Sequence, residues 1–163
     1  MLRLSASLRN QPVLSLRSGG SIATAIEPII NPHNLKIVGW WCKAAGGQEL
    51  ALLTDNVREI LTTGLAVNDE ADLSDQQDLV RHKDILEIRF QLMDKLVRTK
   101  RQKLGKVSDF SYNDGFFVQK LYVARSLVKV FAKEDTLLID RSQILEVTDN
   151  YILVNDSDVK VTD

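Results

Sequence analysis

The first and second halves of the sequence share one order of short apolar runs and polar turns. The same three residues, Val-Asn-Asp, occur near the end of each half, at positions 67–69 and 154–156. Short runs rich in β-branched and aromatic residues, bounded by Gly, Asn, Asp and Pro, are typical of β-strands. The runs recur at intervals of about 81 to 87 residues, which predicts two divergent copies of one all-β unit.

The predicted strands define the bounds of the two copies. In the first copy they cover residues 13–17, 22–30 and 35–42 and a run ending at 55, and in the second they cover residues 96–99, 104–112 and 116–124 and a run ending at 140. A unit of roughly 70 residues removes its open sheet edges most simply by closing into a barrel. We therefore predict two small β-barrels, in residues 1–73 and 88–163, joined by one short α-helix over residues 74–87.

The connecting segment carries the signature of a helix. Ser74 and Gln77 have the spacing of a capping box, acidic residues occupy the first turn, and Leu79 and Leu86 share one face. From residue 88 to residue 92 the apolar residues alternate, which predicts a strand leading into the second copy.

Residues 104–110, the turn at 113–115 and the strand at 118–123 together resemble the PRC-barrel family. The shared pattern is a hairpin into an aliphatic-Gly-Lys-Val-x-Asp run, then a turn and an aliphatic strand. The family includes domains of the photosynthetic reaction-centre H subunit and of the ribosome maturation factor RimM. Residues 22–25 depart from the pattern, because alanine stands in place of Gly105. The resemblance implies a tandem PRC-barrel protein that docks onto larger assemblies and has no catalytic constellation.

Composition and motifs argue against several kinds of chemistry. With 21 basic and 22 acidic residues the net charge is −1, so no global field attracts nucleic acid or anionic lipid. Cys42, His33 and His82 do not have the spacing of a zinc site. The sequence contains no phosphate loop, dinucleotide fingerprint or nucleophile motif. We predict no enzyme activity, no cofactor and no metal. The many carboxylates leave a hydrolase or metal enzyme as a third class of function, after the two given below.

The same features bear on location. A single cysteine suits a reducing compartment, and no apolar run approaches the ~18 to 20 residues of a membrane helix. We predict a cytoplasmic protein without membrane insertion. Residues 1–26 contain three arginines, six serines or threonines and no acid, a composition that also resembles a targeting presequence. We prefer to interpret residues 12–16 as the first strand, because a matching run recurs in the second half.

A basic run in a predicted hairpin is the candidate interaction patch. Six cations lie within twelve residues that contain no acid: Lys95, Arg98, Lys100, Arg101, Lys103 and Lys106. Such a tip can contact phosphates or an acidic protein surface. The same charges on a solvated turn also discourage edge-to-edge strand pairing.

An acidic stretch is the counterpart of this patch. Its members occupy the predicted loop and the start of the predicted helix: Asp69, Glu70, Asp72, Asp75 and Asp78. The simple interpretation is a solvated loop with acids favoured by the helix dipole. A contact with the basic patch of a neighbouring molecule would give self-association.

Trp40 and Trp41 are the candidate aromatic anchors. Adjacent residues of a strand point to opposite faces, so one indole fills the first copy. The other packs under the helix or against the second copy, or is exposed to anchor a partner.

These observations favour a non-catalytic adaptor that binds a larger protein assembly. The alternative is a factor in ribosome or RNA maturation, with RNA bound through the hairpin that carries these six cations.

Overall fold

β-Strands dominate the computed structural model, which describes residues 1–74, 83–125, 136–155 and 160–162. The described part of the chain is mostly β, consistent with the predicted all-β class. The strands are β1 (Arg3–Leu4), β2 (Gln11–Ser15), β3 (Ser21–Asn31), β4 (Lys36–Ala44), β5 (Glu49–Leu53), β6 (Glu59–Leu61), β7 (Gly64–Val67), β8 (Leu73–Ser74), β9 (Leu96–Arg98), β10 (Lys103–Tyr112), β11 (Val118–Ala124), β12 (Thr136–Asp140), β13 (Ile144–Val147), β14 (Tyr151–Val154) and β15 (Lys160–Thr162). Among the described residues there is one α-helix, α1 (Lys83–Ile88), and 3-10 turns at Ser5–Leu8, Thr54–Asn56, Glu70–Asp72 and Arg141–Gln143.

The C-terminal part of the predicted helix is helical in the structure. α1 runs from Lys83 to Ile88, while Ser74 ends strand β8. Residues 75–82, which include Gln77 and Leu79 of the predicted helix, lie outside the described residues. The amphipathic pattern therefore located the C-terminal end of the helix to within one residue.

The strand predicted over residues 88–92 is wrong. Ile88 belongs to α1, and no strand is assigned between it and Leu96. Arg89 and Asp94 have φ of 47° and 64°, left-handed conformations that do not occur in a regular strand. Alternation of a few apolar residues does not distinguish such an irregular connection from a strand.

The chain divides into two compact units. The N-terminal unit contains residues 6–31 and 37–89, and the C-terminal unit contains residues 1–5, 32–36 and 90–163. Two short stretches from the first half of the sequence, 1–5 and 32–36, therefore belong to the C-terminal unit. The predicted division into residues 1–73, 74–87 and 88–163 did not include this grouping.

The N-terminal unit is built on one seven-stranded sheet. Its strand order is β6-β7-β2-β3-β4-β5-β8, with β2 and β7 parallel. Five of these strands contribute fully buried side chains: Val13, Ala25, Ile37, Trp40, Leu52, Leu65 and Val67. β-branched and aromatic residues fit a pleated surface that packs on one face, which explains why these runs form strands.

The C-terminal unit repeats the same strand order. Its sheet is β13-β14-β9-β10-β11-β12-β15, with β9 and β14 parallel, and β1 pairs with the end of β10. The fully buried side chains again come from the central strands: Val97, Val107, Phe110, Leu121, Val123, Leu137, Ile139 and Ile152.

The pairing registers of the two sheets also correspond. In the first sheet Val13 lies opposite Ala23 and Leu65. In the second, Val97 lies opposite Gly105 and Ile152. Ala23 thus occupies the position of Gly105.

The N-terminal segment is integrated into the structure. Leu8 and Val13 are fully buried, and the predicted first strand is confirmed as β2. In the C-terminal unit the Ser5 hydroxyl donates a hydrogen bond to the Asp109 carboxylate. This arginine- and serine-rich segment therefore contributes a strand and buried side chains to the fold.

Candidate interaction surface

The basic run forms a hairpin, as predicted. β9 and β10 pair antiparallel, with Lys103 opposite Arg98, and the turn covers residues 99–102. Thr99 is 1% exposed, and its hydroxyl oxygen accepts the backbone N–H groups of Arg101 at 3.2 Å and Gln102 at 3.1 Å. A threonine that bonds to the backbone in this way holds a turn in one conformation.

The six predicted cations fall into two groups. The first group is exposed on the turn and on the outer face of β10: Lys100, Arg101, Lys103 and Lys106. The second group, Lys95 and Arg98, is partly buried. Because only the first group is fully presented to solvent, it forms the surface that a partner can contact. We call this first group the basic hairpin.

Lys95 and Arg98 pack onto aromatic rings of the C-terminal unit. The Lys95 ammonium lies 4.8 Å from the centroid of the Phe90 ring and donates a hydrogen bond of 2.6 Å to the Asp149 carbonyl. The Arg98 guanidinium lies 5.8 Å from the centroid of the Tyr151 ring. Cation–π contacts of this kind stabilise a fold by about 0.5–1 kcal/mol at exposed sites, so these two cations have a structural role.

The three lysines of the basic hairpin are not offset by close carboxylates of the described residues. Within the described ranges, Lys100, Lys103 and Lys106 form no ion pair within 4.0 Å. Three ammonium groups within seven residues, without an ion pair to a described residue, make a local positive potential on a chain whose net charge is −1.

The acidic stretch is used locally. The Asp69 carboxylate accepts the backbone N–H of Ala71 at 2.8 Å, and the Asp72 carboxylate accepts that of Asn68 at 2.9 Å. Together Asp69 and Asp72 cap the 3-10 turn at Glu70–Asp72. Asp75 and Asp78 lie outside the described residues.

Both tryptophans are buried, so neither side chain offers the exposed surface that an anchor requires. Trp40 is 0% exposed, and Trp41, at 7%, packs with Leu86 of α1 and with Ile29. The Arg89 guanidinium covers the Trp41 ring at 4.3 Å and pairs with Glu49 at 2.8 Å. The second indole therefore packs under the helix, one of the predicted alternatives, because α1 and Arg89 cover its face of the sheet.

The soft and imidazole side chains do not converge. Burial raises the pKa of the Cys42 thiol to about 12, and the thiol donates to the Trp40 carbonyl at 3.7 Å. At neutral pH this cysteine is an unreactive thiol, since the thiolate is the nucleophile. His33 is exposed, and His82 lies outside the described residues. The part of the chain that is described holds no group of three or more metal-ligating residues.

Sequence reasoning missed the partners of the cations. The contacts of Lys95 with Phe90 and of Arg98 with Tyr151 were not predicted. Tyr151 lies beside β9 only because β14 pairs with β9 in parallel. Nothing in the local sequence marks a contact across about 50 residues. The buried, turn-holding position of Thr99 is signalled locally, by a threonine before a polar turn.

No helix in the described ranges is long and apolar enough to span a membrane. No family model matches the chain, and no curated protein matches it either.

Proposed function

We propose that this chain is a non-catalytic adaptor that docks onto a larger protein assembly in the cytoplasm, with the basic hairpin as its contact surface. The observation that carries the proposal is the exposure of Lys100, Lys103 and Lys106 beside a turn held by Thr99. A preformed turn loses little conformational entropy on binding. Clustered charges of one sign steer an acidic partner and set its orientation. A lone cysteine suits the reducing cytoplasm.

We further propose that the two units are divergent copies of one PRC-type barrel. The support is the shared strand order, with a parallel pair at the same place in each sheet. The Val-Asn echo of the sequence also falls at equivalent places, because Val67 ends β7 and Val154 ends β14. In PRC-barrel proteins such domains serve as docking modules, and the resemblance implies the same for this chain.

An acidic protein surface fits the basic hairpin better than RNA does. Recognition of single-stranded RNA uses exposed aromatic rings on which bases stack. Phe90 and Tyr151 are the rings contacted by cations of the basic run, and their faces are taken by Lys95 and Arg98. A role in ribosome or RNA maturation is the second candidate, favoured by the exposed ammonium groups alone, since such groups also bind phosphates.

The test is an affinity capture of the tagged full-length chain from its native lysate, with and without ribonuclease. The variant replaces Lys100, Lys103 and Lys106 with Gln. We expect protein partners that survive ribonuclease and whose affinity falls by roughly tenfold or more in the variant, with a weaker dependence on salt.

The matched control removes three exposed charges from the N-terminal unit instead, by replacing Arg17, Lys43 and Arg58 with Gln. This control should retain the partners. Partners that are lost with ribonuclease would favour the RNA alternative. Partners that bind the hairpin variant as well as the wild type would contradict the proposed contact surface.

A further inference from the structure

Another pair of cations, Lys36 and Arg141, lies in the C-terminal unit and is distant from the basic hairpin in sequence. The Lys36 ammonium is 5.5 Å and the Arg141 guanidinium 5.0 Å from the centroid of the Phe117 ring. Lys36 and Phe117 are joined by an isolated antiparallel bridge, and Arg141 opens the 3-10 turn after β12. All three side chains are partly buried. Three separate stretches of chain therefore bring two positive charges to one ring.

The backbone holds Arg141 in place without neutralising it. One terminal nitrogen donates to the Val118 carbonyl at 3.0 Å, and the other donates to the Asn34 carbonyl. A guanidinium has five N–H donors in a fixed plane, so three remain after these two bonds. Carbonyl oxygens orient the group, but they carry no net charge.

Carboxylates do not compensate either cation at short range. Within the described part of the chain, neither Lys36 nor Arg141 has an ion pair within 4.0 Å. Asp140, the acid next to Arg141, accepts the Ser142 backbone N–H at 3.1 Å and the Ser142 hydroxyl at 3.0 Å. Its carboxylate oxygen is therefore engaged in capping the turn.

Two partly buried charges of one sign on one ring repel each other more strongly than they would in bulk water. The π-system of the ring attracts both cations but does not cancel their net positive charge. An anion that accepts hydrogen bonds from the ammonium and from the remaining guanidinium donors would relieve this repulsion. Charge-assisted bonds of this type are about twice as strong as neutral ones.

We propose that Lys36 and Arg141, arranged around Phe117, bind an oxyanion, the charged group shared by phosphate-bearing and carboxylate-bearing ligands. The site lies outside the basic hairpin and does not depend on the proposed adaptor function. Arg141 supplies oriented donors, Lys36 supplies a mobile charge, and Phe117 holds the two cations together.

The test is an NMR titration of the full-length chain with inorganic phosphate at constant ionic strength. We expect saturable shifts of the backbone amides of Lys36, Val118 and Arg141. Lys36→Met should weaken this binding by about tenfold, because it removes one charged partner and keeps the apolar stem. Arg141→Lys keeps the charge but loses the fixed fork, and it should also weaken binding.

The matched control is Lys43→Met, which removes an exposed lysine from the other end of the same strand, β4. This variant should bind phosphate like the wild type. A parallel titration with acetate distinguishes the two sources: saturation by acetate at similar concentrations assigns carboxylates, and saturation by phosphate alone assigns phosphates. Shifts that do not saturate with either anion, or that are equal in the Lys36→Met and Lys43→Met variants, would overturn the site.

Discussion

Gly105 has a backbone conformation and a close neighbour that together restrict substitution in the C-terminal unit. It lies at an irregularity of the β9–β10 pairing and has φ of 151°. A β-carbon at this position would overlap the carbonyl oxygen of Ala124 on the neighbouring strand. The close pairing of β10 with β11 explains why a side chain is not accommodated there.

We expect Gly105→Ala to destabilise the chain by about 2–4 kcal/mol, because even one methyl group forces the β10 and β11 backbones apart and strains φ. The measurement is the free energy of unfolding in denaturant. Gly46→Ala is the matched control, since a methyl group added at this turn residue would have no atom within 4 Å. It should change stability by less than about 0.5 kcal/mol. Equal stabilities of the two variants would show that the sheet moves to accept the methyl group.

At the level of single elements, the described turns that follow β9 and β13 are held by the same interaction, a threonine hydroxyl that accepts two backbone N–H groups. Thr99 accepts two backbone N–H groups in the turn after β9. Thr148 does the same after β13, accepting those of Asn150 at 3.2 Å and Tyr151 at 3.0 Å. A hydroxyl at the start of a turn replaces the water that would otherwise satisfy these donors. The basic hairpin therefore presents its cations from a defined backbone.

Removing the Thr99 hydroxyl should make the turn of the basic hairpin less stable. We expect Thr99→Ala to lower the free energy of unfolding by about 1 kcal/mol, since two partly buried hydrogen bonds lose their acceptor. Hydrogen exchange of the Gln102 amide should become faster. Thr99→Ser keeps the hydroxyl and should restore most of the protection. Thr62→Ala, at an exposed turn position, serves as the control. Unchanged exchange at Gln102 in Thr99→Ala would mean that the backbone alone holds the turn.

On the scale of the whole molecule, the C-terminal unit is assembled from three separated stretches of chain. β1 pairs with β10, placing Arg3 opposite Tyr112 and Leu4 opposite Ser111. Leu35 is 4% exposed, and its carbonyl accepts the Val118 N–H at 3.0 Å. The stretch 1–5 thus adds a strand to a sheet whose other strands come from the second half, and the stretch 32–36 is hydrogen-bonded to the start of β11.

A fragment limited to residues 88–163 should therefore be less stable than the same strands in the full chain. We expect a loss of about 2–5 kcal/mol, from the missing strand pair and the exposed apolar surface. Hydrogen exchange gives the sharper readout. The Val118 amide should lose its protection because Leu35 is absent, while the Val123 amide, in the paired part of β11, is the internal control. A fragment as stable as the full chain would contradict this dependence.

The sequence predicted the strands well because their signals are local. β3, β4, β10 and β11 lie within two residues of the predicted bounds. Alternating burial, turn residues and the recurrence of one pattern all act over fewer than about ten residues. The exposure of the basic hairpin followed in the same way, because cations in a short turn have no core to enter.

The tertiary structure decided what depends on contacts across long stretches of chain. It buried Trp41 beneath α1 and Arg89, and it placed Tyr151 beside Arg98. It also brought Lys36 and Arg141 to one ring, although they are separated by more than a hundred residues. Most strands, their turns and the charged hairpin could be predicted from the sequence, since each depends on neighbouring residues. Only folding determined which distant side chains meet, because that choice depends on how complete sheets pack and close their cores.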